Sequence, residues 1–160
     1  MTHHLAFPQD FESIYDLYME ESANPYLTYD PMGKEDFIGI YDKLLKTESV
    51  FIVENERVII ATYRLIPKSD RQSHTVYLGS FTIKKDFQGK GFGKKILEHI
   101  KSNASEQQKI RIELTVDINN KAAISLYEKA GFTKEGQIRK SYRRSNTNEY
   151  YDEYLMAVLL

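Results

Sequence analysis

No cysteine occurs among the 160 residues, which removes disulfides, thiolate metal sites and any acyl group carried on a protein sulfur. An excess of one charge is lacking too. The 22 lysines and arginines nearly balance 23 aspartates and glutamates, for a formal charge of −1, so no global basic field points to nucleic acid. Histidine is scarce: His3, His4, His74 and His99 show no H-E-x-x-H or related ligand spacing, and no metal is expected. No apolar run approaches the roughly 20 residues of a membrane span, and the N-terminus has no signal-peptide core. No membrane partner and a cytoplasmic location are therefore expected. Repeats, linkers and low-complexity tracts are missing as well. What is present is ordinary for a soluble globule, 41% hydrophobic and 28% charged, and residues 1–160 fit one domain with no room for a second.

The chain is organised around Tyr77 to Ile100, which reads as a strand, a glycine-rich turn and a helix in succession. Thr75 to Ile83 is rich in β-branched and aromatic residues, while Phe92, Ile96, Leu97, Ile100 and Ala104 recur at helical spacing. Between them lies Gln88-Gly89-Lys90-Gly91-Phe92-Gly93-Lys94. Glycines at alternate positions let backbone N–H groups approach a bulky anion where the helix begins. The helix dipole favours negative charge there, and Lys90, Lys94 and Lys95 add cations. Phosphate is the natural ligand. A Walker A loop is excluded, because the places around Gly93-Lys94 that need Gly and Ser or Thr hold Gln88 and Lys95. The dinucleotide pattern G-x-G-x-x-G fails at Lys94 or at Ile96, according to which glycine starts it. Without further evidence such a turn reads equally well as a plain strand-to-helix connection.

What remains, Gln-x-x-Gly-x-Gly at Gln88, Gly91 and Gly93, resembles the pyrophosphate-binding turn of the GNAT superfamily of acyl-CoA N-acyltransferases. A second block, from Asn119-Asn120 through Ala122-Ala123-Ile124-Ser125-Leu126-Tyr127-Glu128-Lys129-Ala130-Gly131-Phe132, is similar to that superfamily's N-x-x-A-I-x-L-Y-E-K-x-G-F motif. The resemblance is clear from Thr75 to Phe132 and looser on to Leu160. The Gly131 to Gly136 pattern, with Arg139 and Tyr151-Asp152, is similar to the branch of amino-acid, polyamine and ribosomal-protein N-terminal acetyltransferases. It implies an α/β (α+β) fold: a mixed, mostly antiparallel twisted sheet of about seven strands, helices on both faces, and a cleft where the fourth and fifth strands splay apart.

Taken in order, Met1 to Phe7 reads as an edge strand. Asp10 then caps a helix with Phe11, Ile14, Tyr15, Tyr18 and Met19 inward, ending near Glu21 or Ser22. The stretch Asn24 to Gly33 is a loop whose Tyr26, Leu27 and Tyr29 form either a satellite core or a wall of an acceptor pocket. Glu35 to Lys46 predicts a second helix with Phe37, Ile38, Tyr41, Leu44 and Leu45 inward, and Val50 to Glu54 and Val58 to Leu65 a hairpin turning at Asn55-Glu56. Pro67 to Ser73 reads as an exposed loop. Gly79, isolated inside a strand, is the candidate bulge and splay point. Ile110, Ile112, Leu114 and Val116 give the apolar face of a fifth strand, and Lys121 to Ala130 a helix closed by Gly131. Phe132 to Ile138 and Tyr150 to Leu159 are the last strands, with Tyr142 to Asn148 in the loop between them.

The resemblance implies acetyl-CoA as co-substrate, held by the turn residues Gln88, Gly89, Lys90, Gly91, Phe92, Gly93 and Lys94, by Phe81, Thr82 and Ile83 along the pantetheine arm, and by Asn120. A backbone N–H near Ile83 would serve the oxyanion. It makes Tyr127 the general acid toward the leaving thiolate, although periodicity alone places Tyr127 on a core face with Ala123, Ile124 and Ala130. Some relatives carry a carboxylate base on the fourth strand. This chain has none there, and Glu113 is either a water-mediated substitute or a salt-bridge residue. Glu20, Glu21, Asp30 and Glu35, with Glu149, Asp152 and Glu153, would attract a cationic amine or merely form a solvated acidic face. With cysteine absent, direct attack in a ternary complex is the consistent mechanism. Expected acceptors are a small amine or an amino acid; the alternatives are a protein N-terminus or lysine, or a non-catalytic acyl-CoA sensor. Monomer and homodimer both stay open.

Overall fold

A computed structural model describes residues 1–145 and 147–160. Its elements are β1 (Thr2–Leu5), α1 (Phe11–Met19), α2 (Lys34–Leu45), β2 (Val50–Asn55), β3 (Val58–Pro67), β4 (Thr75–Ile83), α3 (Phe92–Glu106), β5 (Arg111–Asp117), α4 (Lys121–Lys129), β6 (Thr133–Arg143) and β7 (Tyr150–Leu159), with short 3-10 turns between some of them. The seven strands run in the order β1-β2-β3-β4-β5-β7-β6. The β1–β2, β2–β3, β5–β7 and β6–β7 pairs are antiparallel, and β4–β5 is parallel. The expected mixed, mostly antiparallel sheet is therefore present. No described helix is long and apolar enough to cross a membrane. The chain divides into two compact units, Met1–Leu65 with Ser80–Gln88, and Ile66–Gly79 with Gly89–Leu160.

The first unit is built on aromatic packing. Ile14 and Tyr18 of α1, Phe37, Tyr41 and Leu44 of α2, and Val50 and Ile52 of β2 form its buried cluster. Phe37 has ring neighbours in Phe11, Tyr15, Tyr18, Tyr29 and Tyr41 at centroid separations of 5.6–6.5 Å. Each such side chain contributes about 1.5–3 kcal/mol by leaving water. Ile38, expected inward, is 52% exposed, because Phe37, Tyr41 and Leu44 already occupy the inward stripe and Ile38 stands one position, about 100°, around the helix. Asp10 does not cap α1 through its side chain. Its carboxylate instead accepts from Phe7 N at 2.8 Å, closing the 3-10 turn ahead of the helix. The β2–β3 hairpin turns at Glu56 and Arg57, both at positive φ, 51 and 66, the type I′ geometry that suits strand twist.

In the second unit the buried side chains include Val76 and Leu78 of β4, Ile96, Leu97, Ile100 and Ala104 of α3, Ile112, Leu114 and Val116 of β5, Ile124 and Tyr127 of α4, and Phe132, Met156 and Ala157. Ile110 is 56% exposed: β5 begins only at Arg111, so Ile110 shares the parity of Ile112 but lies beyond the strand's end. The parallel ladder joins Thr75, Val76 and Tyr77 to Arg111, Ile112 and Glu113 and stops there, while β5 runs on to Asp117 paired with β7. β6 continues past Ile138 to Arg143 through a register shift between Ile138 and Tyr142. Lys140, at φ 52, makes the bulge. Asp152 holds it, Oδ1 accepting from Lys140 N and Oδ2 from Gln137 Nε2, each at 2.8 Å. The expected loop therefore loses Tyr142 and Arg143 to β6, and Asn146 lies outside the described residues.

Candidate functional site

The turn ahead of α3 is built by backbone conformation. Gly89 has φ 71, and Gly91, the N-cap of α3, has φ 82 and ψ −1. Left-handed values at both places require glycine or strain. No side chain caps α3, and a Cβ at either glycine would meet no atom within 4 Å, so the surface over the turn is open. Lys90 and Lys94 are exposed beside it, Gly93 is buried in the first helical turn, and Lys95 Nζ lies 5.9 Å over the Phe92 ring. On the strand side, Gln88 Nε2 donates to Ile83 O at 2.8 Å, fixing the exit from β4. Thr82 is buried; Phe81 and Ile83 are half-buried. Fifteen helical residues place a positive dipole end at this glycine turn, a ready anion site.

Around α4, Asn120 is the N-cap, its side-chain oxygen accepting from Ala123 N at 3.1 Å, which leaves its two amide N–H donors for another partner. The preceding Asp117 is buried. It accepts from Asn119 N at 2.7 Å and from the Tyr142 hydroxyl. Tyr127 is buried with its ring 5.7 Å from that of Phe132. Burial, and secondarily Tyr77, raises its hydroxyl pKa, so it holds its proton at neutral pH. Tyr77 itself donates to or accepts from Thr115 at 2.9 Å, and its ring explains Gly79: a Cβ there would lie 3.1 Å from Tyr77 Cε1. The left-handed residue of β4 is the next one, Ser80, at φ 47.

Glu113 is held by two cations. It pairs with Lys68 and, at 3.2 Å, with Arg111, whose guanidinium also grips both oxygens of Glu135 at 2.8 and 2.5 Å. Burial raises its pKa, but these ion pairs outweigh it and hold the carboxyl below its usual range. That makes a fixed structural anion and a poor proton acceptor. Several residues of the acidic surface are similarly engaged. Glu20 accepts from Ser22 Oγ at 2.8 Å and Lys85 N at 3.2 Å, and Glu153 accepts from Ser141 Oγ at 2.5 Å. A recess of about 500 Å³ lined by Ser13, Asp16, Glu20, Ile59 and Lys84 has mixed charge. Tyr29 joins the core beside Tyr18 and Phe37, whereas Tyr26 is 43% exposed. Asn24, unremarked in sequence, pins this loop: buried, it donates to Tyr18 O at 2.8 Å and Tyr29 O at 3.0 Å. An Asn before Pro in a loop carries no signal that distinguishes a buried clamp from an ordinary turn residue.

The model of the acetyltransferase (GNAT) family matches residues 11–132, about three quarters of the chain. The chain belongs to the GNAT acetyltransferase family. Among curated relatives, the GNAT chain is 38% identical over 88 residues to a spermine/spermidine N(1)-acetyltransferase of Bacillus subtilis, covering 53% of this chain and 58% of that protein. It is 37% identical over 65 residues to the [ribosomal protein bS18]-alanine N-acetyltransferase of Salmonella typhimurium, covering 41% and 43%. These matches span little more than half the relatives' length at most. In fold, the GNAT chain is similar to the spermidine N-acetyltransferase of Vibrio cholerae solved with CoA and spermine, at a TM-score of 0.83 and 22% identity, covering 99% of this chain and 94% of that one.

Proposed function

We propose that this GNAT chain, acting as one cytoplasmic domain, moves an acetyl group from acetyl-CoA to a primary amine of a small molecule, with polyamines and amino acids as the acceptor class. The observation that carries the reading is the open left-handed turn at Gly89 and Gly91 ahead of α3, inside the family-matched region. Its residues suit a pyrophosphate: backbone free of Cβ atoms, a helix N-terminus, and Lys90 and Lys94 exposed beside it. Phe81, Thr82 and Ile83 are assigned to the pantetheine arm, and Asn120, through its remaining N–H donors, to the same arm. The match to the spermine/spermidine enzyme supports the acceptor class.

Bound acetyl-CoA supplies an activated thioester carbonyl. A neutral amine forms the C–N bond there as the C–S bond breaks, and the proton lost from nitrogen balances the one gained by the departing sulfur. Tyr127 gives that proton to sulfur, its phenol kept protonated by burial. No carboxylate lies on β4 and Glu113 is locked in ion pairs, so deprotonation of the incoming ammonium falls to solvent, and holding the two substrates together supplies most of the rate.

Thiol release from acetyl-CoA, measured with polyamines, amino acids, aminoglycoside-like amines and an alanine-started peptide in separate pools, tests the reading. Release that depends on a small-amine pool is expected, with initial-rate lines that intersect when both substrates are varied. Release with the peptide alone would move the acceptor to a protein, the Salmonella relative being named for an alanine of ribosomal protein bS18. No release from any pool, with acetyl-CoA bound, would overturn the transferase reading.

A further inference from the structure

Asp117 ends β5 as a buried carboxylate held by two neutral donors, Asn119 N to Oδ1 at 2.7 Å and the Tyr142 hydroxyl to Oδ2. A buried charge is costly unless it is hydrogen-bonded, so its retention depends on both. Tyr142 comes from the far end of β6. Ile138 pairs with Glu153 and Tyr142 with Tyr151, so four steps along β6 match two along β7. Without those two extra residues Lys140 would stand opposite Tyr151, and the bulge puts a phenol there in its place. The Tyr142 and Tyr151 rings stack at 5.3 Å. Arg144 lies over the Tyr151 ring at 4.5 Å, and its Nη2 donates to the Tyr142 hydroxyl at 3.2 Å. The hydroxyl's own proton is left for Asp117. Burial, and then Asp117 itself, raise the Tyr142 pKa and keep that proton in place. Asp152, whose carboxylate holds the bulge, also accepts from Ile118 N through its backbone oxygen at 3.2 Å. The hairpin and the turn after β5 are thus tied at two points.

We infer that Asp117 and Tyr142 are positioning residues for the cofactor: bridging hairpin and turn, they fix the backbone from which the Asn120 amide reaches the pantetheine arm. The inference rests on the assignment of Asn120 to that arm in the reading above. Asn120 directly follows the residue whose N–H Asp117 holds, and Asn120 N donates to Asp117 O at 3.0 Å. Its side-chain oxygen is committed to Ala123 N. The direction of its N–H donors therefore follows from where this turn sets the start of α4. Hydrogen bonds weaken steeply as they bend, so a small rotation of the turn costs cofactor binding without removing any atom that touches the cofactor. Phenylalanine at 142 would keep the ring stack on Tyr151, which leaves the hydroxyl its bond to Asp117 as its task.

Calorimetric titration with CoA in a double-mutant cycle tests this, beside thermal melts. Asn120→Ser keeps a capping oxygen and removes the amide donors. It should weaken CoA binding roughly 3- to 10-fold, the loss of one hydrogen bond. Tyr142→Phe is expected to weaken binding over the same range when Asn120 is present, and to add less than about 2-fold in Asn120→Ser. Its loss in melting temperature should be equal in both backgrounds. A merely structural hydroxyl would leave CoA affinity alone, or lower it by one factor in both. Should Tyr142→Phe not fold, Arg144→Gln, which lets the phenol turn from Asp117, takes its place in the cycle. An equal loss in both backgrounds, or none with Asn120 present, overturns this inference alone. Unchanged affinity in Asn120→Ser overturns the placing of Asn120 on the arm and this inference with it. No CoA binding by the wild type overturns the transferase reading as well.

Discussion

Replacing Gly91 separates the two demands on that position. Its φ of 82 lies where an L side chain costs about 1–2 kcal/mol, yet an added Cβ meets nothing within 4 Å. Gly91→Ala therefore carries a backbone cost without a clash. For a chain of this size 1 kcal/mol is about 2–4 °C in melting temperature, so the variant should melt about 2–8 °C lower. Asparagine tolerates the left-handed region better, and Gly91→Asn should recover much of that loss. Both variants place side-chain atoms where a phosphate would approach the backbone. A hydrogen bond to a charged group is worth about 1.5–3 kcal/mol, so losing one weakens CoA binding roughly 10- to 150-fold. Calorimetric titration with CoA, run beside melting curves, should find both variants weak binders while only the alanine variant melts much lower. Wild-type CoA affinity in well-folded Gly91→Asn would refute the assignment of the pyrophosphate to this turn.

Tyr127→Phe should leave CoA affinity intact and lower kcat by roughly 10²- to 10⁴-fold, the usual range for a general acid; an unchanged kcat would return Tyr127 to the core. Glu113→Gln tests the ion-pair network by pH. Because the folded pKa of Glu113 is lowered, its stabilisation is present above its unfolded pKa of roughly 4.3 and is lost as pH falls through the lower folded value. The glutamine variant should therefore melt below the wild type at neutral pH and converge with it in strong acid, with kcat/KM unchanged. A large loss of kcat/KM without a melting change would instead make Glu113 the base. Tyr142→Phe removes one hydrogen bond from buried Asp117, at a cost of about 1–3 kcal/mol; equal melting of variant and wild type would contradict that bond.

Local pattern carried the reading where local physics decides the outcome. The limits of β4 and β7, Thr75–Ile83 and Tyr150–Leu159, are legible because β-rich runs end at polar or glycine-rich segments. The Asn120 cap and the Gly131 terminator of α4 are legible for the same reason, Gly131 lying at φ 93. Long-range pairing was not legible. Lys68, just past the end of β3, meets Arg111, Glu113 and Glu135 only because β3, β4, β5, β7 and β6 are successive neighbours in the sheet, and the Asp117–Tyr142 bond spans 25 residues. The β6 bulge depends on Asp152 across the hairpin, so Lys140 alone gives no hint of it. At the candidate site, Gly89 and Gly91 announce their backbone by residue type, whereas Ser80 conceals a glycine-like conformation behind a hydroxyl.

The most direct test of the account is to incubate the chain with acetyl-CoA and spermidine and follow free thiol and the amine's mass together. An acetylated amine should appear in step with thiol and require both substrates. Thiol released without acetylated amine, or neither product while CoA remains bound, would contradict it.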